Sequence, residues 1–307
     1  SSSFVTWLLL GAVLLQHHPF DLQIFLRQLR DEKIEYSVAP PAVLNLLLQN
    51  EALVAGIDFT RLKTIGSGSA PLTEWMVRTF HERHGVAIVN YFGSNEGASF
   101  AGTISDIPDP AQRAVFFPRL GRPELRWDFP LADRIFSRLV DPETEEEIAE
   151  PGKPGEMRMK GATVFSGYWR AADLTARAFD RDGWFRTGDM FEIGGDRNQY
   201  YRFVGRLKDI VIRGGMNISP EELENHLIAH PRVADVAIIG YPDPVLGEKL
   251  CACIVAKPGD PPTLEDINRF LTAEKLVAVG KQIEKLVIVP ALPRNPEQAT
   301  EIWLASR

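Results

Sequence analysis

The chain has few cysteines and no excess of basic residues. Of its 307 residues, only Cys251 and Cys253 are cysteines, so a scaffold held together by disulfides is disfavoured and a reducing cytoplasm fits best. The formal net charge is -7. Because a surface with this charge does not attract a phosphate backbone, nucleic acid is disfavoured as a general partner.

Long hydrophobic runs are missing as well. The longest apolar stretch, residues 7–15, is too short to cross a bilayer, and residues 1–6 lack the basic residues of a signal peptide. We expect no transmembrane segment and interpret residues 7–15 as part of a core. A chain of this length with 45% hydrophobic residues has enough material for two domains.

Apolar runs alternate with helical patterns over the first third of the chain. The predicted strands are residues 12–15, 36–39, 63–65 and 86–90, and the predicted helices are residues 21–32, 42–48 and 73–84. This alternation is typical of a mostly parallel sheet covered by helices. Asp21 and Thr73 stand at positions where helix N-caps are expected.

The pattern changes further along the chain. Residues 121–204 have short apolar runs between glycine, proline and acidic turns, which predicts a small antiparallel or barrel-like subdomain. Beyond it, the predicted strands are residues 210–212, 233–241, 250–256 and 286–289, and the predicted helices are residues 220–229 and 264–273. This last pattern indicates a separate α+β unit.

The predicted fold class is therefore α/β. We expect a partial large domain over residues 1–205, with a mostly parallel sheet and its helices at 1–118 and a β-rich subdomain at 119–205. A small, mobile α+β C-terminal domain would follow at residues 206–307. Because the first residues look like the middle of a helix that enters a sheet, we expect the chain to begin inside the large domain.

The sequence GSGSAP occupies residues 66–71, between a predicted strand and a predicted helix. We expect a turn at residues 66–70, where small side chains let the backbone approach a ligand closely. The segment does not match a dinucleotide-binding fingerprint, because Pro71 stands at the last glycine position. A tight turn without a ligand is the alternative.

The sequence NYFGSNEG occupies residues 90–97, directly after a predicted strand. An aromatic ring there can stack on a base, Asn95 can donate to a phosphate oxygen, and Glu96 can hold a Mg²⁺ ion that bridges phosphates. A polar loop over a sheet edge is the alternative. A serine hydrolase fits less well, because Ser94 is not at the centre of a Gly-x-Ser-x-Gly motif.

Two further motifs are DGWFRTGD at residues 182–189 and GRLKDIVIRGGMNISPEE at residues 205–222. Together with the two upstream loops, in the same order, they resemble the adenylate-forming (AMP-binding) superfamily of acyl-CoA synthetases, luciferases and peptide-synthetase adenylation domains. The resemblance covers essentially the whole chain and is to the C-terminal part of the acyl-CoA synthetase or fatty-acid–CoA ligase type.

The resemblance implies ATP-dependent activation of a carboxylic acid to an acyl-adenylate, followed by transfer to coenzyme A. The cofactors would be ATP, Mg²⁺ and coenzyme A. Fatty or other hydrophobic acids are favoured because residues 5–15 and 42–48 are strongly apolar, although such stretches are equally suited to a core. A homodimer is an open alternative for the assembly.

The resemblance also implies a nucleotide site. Its residues would be Gly68, Ser69, Ala70, Pro71, Asn90, Tyr91, Phe92, Gly93, Asp189 and Arg206. Phe92 would stack on adenine, Asp189 would accept hydrogen bonds from the ribose hydroxyls, and Arg206 would support the ribose or a phosphate. The alternative for Arg206 is a surface ion pair with an acid such as Asp209.

Other roles follow from the same resemblance. Asn95 stands where the family usually has threonine and would donate to the α-phosphate, while Glu96 would hold the metal. Lys208 falls at the family's hinge between the large and small domains. Gly214 and Gly215 match the loop that approaches the pantetheine arm of coenzyme A, although a glycine pair is also ordinary turn chemistry.

The sequence departs from the family pattern near its end. Residues 293–299 resemble the segment that normally runs into Gly-Lys, but Gln298 and Ala299 stand there. Ala299 supplies no mobile positive charge to an adenylation transition state. The phosphate-gripping Ser/Thr/Gly loop with its lysine is also not found in these 307 residues. We therefore expect this chain itself to adenylate poorly or not at all.

Three alternative functions are open. An adenylation domain would load a carrier-protein thiol instead of coenzyme A, and a luciferase-like oxygenase would emit light with oxygen. A non-catalytic protein that binds AMP or acyl-CoA is favoured by Ala299 and by the missing loop.

Overall fold

The structure is a computed structural model that describes residues 8–16, 20–68, 71–128, 132–275, 277 and 279–292. The chain forms two compact units. Unit 1 comprises Ser1–Phe92 and Phe100–Val115, and unit 2 comprises Gly93–Ser99 and Phe116–Arg307. Within the described ranges, none of the helices has the length and apolar character needed to cross a bilayer.

Unit 1 is built around a four-stranded sheet with helices. Its strands are β1 (Tyr36–Val38), β2 (Thr64–Gly68), β3 (Ala87–Gly93) and β4 (Ser99–Gly102), in that spatial order, although Gly93 and Ser99 belong to unit 2. Its helices are α1 (Leu22–Asp31), α2 (Pro41–Gln49), α3 (Glu51–Val54), α4 (Glu74–His84) and α5 (Pro110–Val115). The pairs β1–β2 and β2–β3 are parallel, which confirms the predicted parallel α/β arrangement.

The helix caps of unit 1 were predictable from local sequence. The Asp21 side chain accepts a hydrogen bond from the Ile24 amide, and the Thr73 hydroxyl accepts one from the Met76 amide. Each cap satisfies one of the amides that the first helical turn leaves without a partner. Leu44, with none of its surface exposed, lies in the core formed by the helices and the sheet.

Two expectations for unit 1 were wrong. Residues 12–15 form no strand, and the side chains of Leu9 and Val13 are 79% and 89% exposed, so this apolar stretch is not core in this structure. The predicted turn at residues 66–70 is wrong for residues 66–68, because β2 continues through Gly68, and residues 69 and 70 lie outside the described ranges. Small residues in this strand allow its close packing against β3.

Unit 2 contains an antiparallel six-stranded sheet, as the β-rich pattern predicted. Its spatial order is β5-β10-β9-β8-β6-β7. The strands are β5 (Phe116–Pro118), β6 (Ile135–Val140), β7 (Glu147–Ile148), β8 (Gly155–Gly161), β9 (Phe185–Gly194) and β10 (Tyr200–Arg206). Helix α6 (Ala172–Ala178) lies between β8 and β9 in sequence, and a short 3₁₀ helix at Ala132–Arg134 precedes β6.

Unit 2 also contains a second, five-stranded sheet. The strands are β11 (Val211–Arg213), β12 (Met216–Ile218), β13 (Val233–Asp243), β14 (Gly247–Ala256) and β15 (Lys285–Ile288). The order is β12-β11-β14-β13, with β15 parallel to β14. The accompanying helices are α7 (Pro220–Leu227), α8 (Leu264–Arg269), a π-helix at Phe270–Glu274, and 3₁₀ helices at Leu207–Asp209 and Val279–Lys281.

This second sheet and its helices share one hydrophobic core, which includes Leu223 of α7 and Ile267 of α8. Cys251 and Cys253 are fully buried free thiols on β14, as expected for packing residues. The predicted boundary between residues 205 and 206 falls at the end of β10, inside unit 2, and it stays a prediction.

Candidate functional site

Asp189 lies in β9 where the pairing of β9 with β8 is irregular. This pairing shifts register between Glu156 and Arg158, which are partners of Met190 and Arg186. Between those two β9 residues, Gly188 has a φ of +71°, in the left-handed region that favours glycine. The Thr187 hydroxyl donates to the Met157 carbonyl at 2.7 Å and accepts a hydrogen bond from the Asp189 amide at 3.1 Å. Irregularities of this kind re-aim side chains beside functional sites.

A second irregularity places Arg206 opposite Asp189. Strand β10 pairs with β9 and shifts register between Phe203 and Gly205, so Arg206 is the Cα partner of Asp189. Without this shift, Gly205 would face Asp189 and the Arg206 side chain would project from the other face of the sheet. As folded, Nε of Arg206 lies 3.5 Å from Oδ1 of Asp189.

The alternative partner for Arg206, Asp209, does not form this ion pair. Among the described residues, the acid that lies within 4.0 Å of the Arg206 guanidinium is Asp189. The Arg206 side chain is 61% exposed, so the ion pair itself contributes little to stability. It leaves the guanidinium accessible to a ligand beside the carboxylate.

Asp189 is buried, with 8% of its surface exposed. Burial raises its pKa to about 6, Arg206 opposes that rise, and the negative charges of Asp209, Glu156 and Glu96 add to it. Burial disfavours a carboxylate, and nearby like charges act in the same direction. The Glu96 contribution is Coulombic, so the Glu96 carboxylate lies within electrostatic range of Asp189.

Glu221 is a member of this charged group that the sequence did not reveal. Burial raises the pKa of Glu221 to about 7, with further increases from Glu224, Asp189 and Asp209, and Arg206 opposes the rise. Glu221 is in the first turn of α7, whose N-cap is Ser219. The capping pattern was a signal for the helix start, but the approach of that turn to Arg206 depends on tertiary packing.

The loop with Asn95 and Glu96 is a tight connection between β3 and β4. The Ser94 amide donates to the Ala98 carbonyl at 2.9 Å, and the Gly97 amide donates to the Ser94 carbonyl at 3.2 Å. Asn95 is exposed and Glu96 is half-buried. The Glu96 carboxylate accepts a hydrogen bond from the Tyr168 hydroxyl at 3.0 Å.

Glu96 can ligate a metal ion that is also bound by the phosphates of a nucleotide. Across the parts of the chain that the structure describes, no group of three or more His, Cys, Asp or Glu side chains could hold a metal ion by itself. Mg²⁺ usually keeps several waters and binds through one or two carboxylates together with substrate phosphates. The single carboxylate of Glu96 fits binding of Mg²⁺ together with substrate phosphates.

Several candidates of unit 1 have structural partners of their own. A Cβ atom on Gly68 would lie 2.2 Å from the carbonyl oxygen of Tyr91 on the neighbouring strand, so this position requires glycine. The Asn90 side chain is buried and donates to the Ala114 carbonyl at 2.8 Å. The Tyr91 hydroxyl lies 3.3 Å from that of Tyr36, and the half-buried ring of Phe92 is 5.9 Å from that of Phe100.

The remaining candidates are either exposed or outside the residues that the structure describes. Pro71, Gly93 and Lys208 are exposed, and Lys208 lies in the 3₁₀ helix that follows Arg206. Gly214 and Gly215 are exposed and have φ values of +57° and +80° in the turn between β11 and β12. Ser69, Ala70 and Ala299 lie outside the described residues.

Comparison with known proteins gives two family matches. The model of the AMP-binding enzyme family matches residues 1–169. The model of the AMP-binding enzyme C-terminal domain matches residues 222–298.

Three relatives illustrate the similarity. The medium-chain fatty-acid–CoA ligase of Escherichia coli strain K12 is 32% identical over 84% of this chain and 42% of its own length. The indoleacetate–CoA ligase of Aromatoleum aromaticum is 32% identical over 93% of this chain and 52% of its own. The ATP-bound structure of MatB from Rhodopseudomonas palustris is 28% identical, with a TM-score of 0.70 over 94% of this chain and 53% of that one. The chain thus spans about half the length of the relatives that it matches.

Proposed function

The chain belongs to the AMP-binding enzyme family, and on this premise we propose that it is part of an ATP-dependent ligase that joins a carboxylic acid to coenzyme A. The acid's carboxylate attacks the α-phosphate of ATP, which forms an acyl-adenylate and releases pyrophosphate. The thiol of coenzyme A then attacks the acyl carbonyl and AMP leaves. The observation that carries the proposal is the ion pair between Arg206 and the buried Asp189 carboxylate, with the Glu96 carboxylate near enough to raise the pKa of Asp189.

Each of these three groups has a part in this proposal. The Asp189 carboxylate accepts hydrogen bonds from the two ribose hydroxyls, because an ionised carboxylate offers two acceptor oxygens. Arg206, next to it, supports the ribose or a phosphate. Glu96 holds Mg²⁺, which offsets phosphate charge when it is bound with the nucleotide. Positioning and charge stabilisation account for most of the chemistry.

The other proposed roles rest on the resemblance alone. Phe92 stacks on adenine, and Asn95 donates to the α-phosphate. Lys208 is the pivot between a large domain ending at residue 205 and a small domain over residues 206–307. Its exposure in a short 3₁₀ helix is compatible with a change of backbone angles there. The loop with Gly214 and Gly215 faces the pantetheine arm.

For the substrate we propose a hydrophobic carboxylic acid. The names of two relatives, a medium-chain fatty-acid–CoA ligase and an indoleacetate–CoA ligase, support this class. The apolar stretch at residues 7–15 does not support it, since Leu9 and Val13 are exposed. A cytoplasmic location and a homodimer stay predictions.

A non-catalytic protein that binds AMP or acyl-CoA is the second candidate. Ala299 in place of the family's lysine favours it, because this position then lacks the positive charge that would stabilise adenylation. An adenylation domain that loads a carrier-protein thiol differs in its acceptor. Titration of coenzyme A into the chain with a preformed acyl-adenylate, with AMP release measured, distinguishes these functions.

The proposed function is tested by separating binding from the two half-reactions. Calorimetry with AMP should show binding by the chain. A preformed acyl-adenylate supplied with coenzyme A should yield a thioester and AMP, since this half-reaction does not need the lysine. The Asp189→Asn variant should lose both signals. The matched control is Asp196→Asn, which changes an exposed acid after β9. Absence of AMP binding by the unchanged chain would contradict the proposal.

A further inference from the structure

Two loops of unit 2 are clamped together around Glu96. We call residues 94–98 the Glu96 loop and residues 162–171 the Tyr168 loop. The Phe165 amide donates to the Glu96 carbonyl at 2.8 Å, and the Tyr168 hydroxyl donates to Oε1 of the Glu96 carboxylate at 3.0 Å. The Tyr168 loop therefore holds both the backbone and the side chain of Glu96.

The backbones of the two loops are in direct contact. Gly97 has a φ of +92°, and a Cβ atom there would lie 1.8 Å from the carbonyl oxygen of Thr163. Any larger residue would force the loops apart. The Glu96 loop groups with unit 2, whereas Phe92 and Phe100, which flank it, group with unit 1. This assignment agrees with the contacts just described.

Tyr168 is itself held in place. Its amide donates to the Thr175 hydroxyl at 2.9 Å, and that hydroxyl donates to the Ala171 carbonyl at 3.0 Å. The centroid of its ring is 4.8 Å from that of Phe165. Phe165 in turn packs on Phe185, with ring centroids 5.3 Å apart.

These contacts link the Glu96 carboxylate to the strand of Asp189. Phe185 is the first residue of β9, which also carries Asp189. The link runs from Glu96 through Tyr168 and Phe165 to Phe185. The positions of the two carboxylates are therefore tied to one strand.

We propose that Tyr168 is a positioning residue that orients the Glu96 carboxylate toward a nucleotide-bound divalent cation. The inference rests on the proposed function and adds a residue to its site. Tyr168 ties down Oε1, and among the described residues the other oxygen, Oε2, has no hydrogen-bond partner. Oε2 is the atom that remains for a metal.

The effect of Tyr168 is pre-organisation. A free glutamate loses side-chain conformational freedom when it binds a metal, and the hydrogen bond from Tyr168 restricts that freedom beforehand. A tyrosine hydroxyl is protonated at neutral pH and can donate to the carboxylate.

The test compares ATP binding with and without Mn²⁺, a spectroscopic substitute for Mg²⁺, by calorimetry and water-proton relaxation. The ratio of the two dissociation constants is the metal-dependent gain. The Tyr168→Phe variant should reduce this gain roughly tenfold, the scale of a hydrogen bond to a charged group. It should leave the affinity for metal-free ATP unchanged. A purely structural role would lower both affinities together.

A double-mutant cycle shows whether Tyr168 acts through Glu96. Glu96→Gln should lower the gain, and adding Tyr168→Phe to it should lower the gain no further. Tyr241→Phe, which removes a hydroxyl from β13, is the control and should behave like the unchanged chain. Thermal unfolding of every variant checks that each has folded.

The outcomes separate the two proposals. If the unchanged chain shows a gain and Tyr168→Phe shows the same gain, the role of Tyr168 is overturned while the proposed function stands. Equal loss of affinity with and without Mn²⁺ also overturns it. If the unchanged chain binds no ATP in either condition, the proposed function fails and the inference fails with it.

Discussion

Asp189 and Arg206 face each other across two antiparallel strands, with Nε of the arginine 3.5 Å from Oδ1 of the aspartate. The arginine is largely exposed and the aspartate is buried. An exposed cation does not offset the burial of a carboxylate among other acids, so the pKa of Asp189 stays raised, at about 6. This arrangement costs stability and makes a carboxylate available to a ligand.

Replacement of Asp189 should therefore stabilise the chain at neutral pH. The folded-state pKa is about 6 and the unfolded value is about 3.9, so the folded state holds its proton more tightly. The loss of stability caused by the ionised Asp189 is absent below pH 4, grows as pH rises, and is complete above pH 6. Asp189→Asn should gain about 2–3 kcal/mol at pH 8 and almost nothing at pH 4. Denaturant unfolding at both pH values measures the difference.

Ligand binding should show the opposite pH dependence. The charged form of Asp189 accepts hydrogen bonds from ribose, so affinity should rise as pH increases through 6 and level off above 7. Adenosine is the appropriate probe, because the phosphate of AMP titrates in the same range. Calorimetry from pH 5 to 8 measures the profile. A flat profile in the unchanged chain would contradict the role of Asp189, and Asp189→Asn should show no binding across this pH range.

Removal of the Arg206 guanidinium should raise the pKa of Asp189 further. Arg206 is the group that lowers this pKa, so Arg206→Ala should move the midpoint of adenosine binding to higher pH. It should also weaken AMP binding by roughly tenfold, since a charge-assisted contact is lost. Arg202→Ala is the matched control, because Arg202 pairs with Glu192 on the same two strands. An equal effect of both substitutions would be inconsistent with this account.

A methyl group at Gly97 should lower the free energy of unfolding more than a methyl group at Gly152. Both glycines have positive φ, but a Cβ on Gly97 meets the Thr163 carbonyl, whereas nothing lies within 4 Å of one on Gly152. Gly152→Ala should cost about 1 kcal/mol for its backbone conformation, and Gly97→Ala about 2–3 kcal/mol or more. Chemical unfolding compares them. Similar losses would mean that the two loops are not in close contact.

The chain itself should catalyse little ATP–pyrophosphate exchange. Ala299 supplies no charge, and a lysine-bearing phosphate loop is not found in the sequence. Loss of one electrostatic contact in an active site typically lowers the rate 100- to 1,000-fold, as an order of magnitude. Radiolabelled pyrophosphate exchange measures this step. Turnover typical of a complete CoA ligase would refute the prediction.

Local signals in the sequence were sufficient for much of the fold. The N-caps Asp21 and Thr73 were predictable because a cap and its helix lie within a few residues. The parallel strands of unit 1 followed from the alternation of strands and helices. The apolar stretch with Leu9 and Val13 was misassigned to the core, because periodicity indicates apolar character and not what covers it.

The geometry of the candidate site was less accessible. The motifs contained Asp189 and Arg206, but their pairing depends on two register shifts, one beside Gly188 and one beside Gly205. A register shift arises from the pairing of two strands. In the sequence of one strand, a glycine is its only sign. Tyr168 contacts Glu96 across 72 positions of sequence, and no local pattern connects them.

A crystal structure of the chain with AMP tests the central claim most directly. Both ribose hydroxyls should lie about 3 Å from the carboxylate oxygens of Asp189, with the Arg206 guanidinium against the ribose or the phosphate. AMP bound away from Asp189, or ribose hydroxyls that donate to a different group, would contradict the claim.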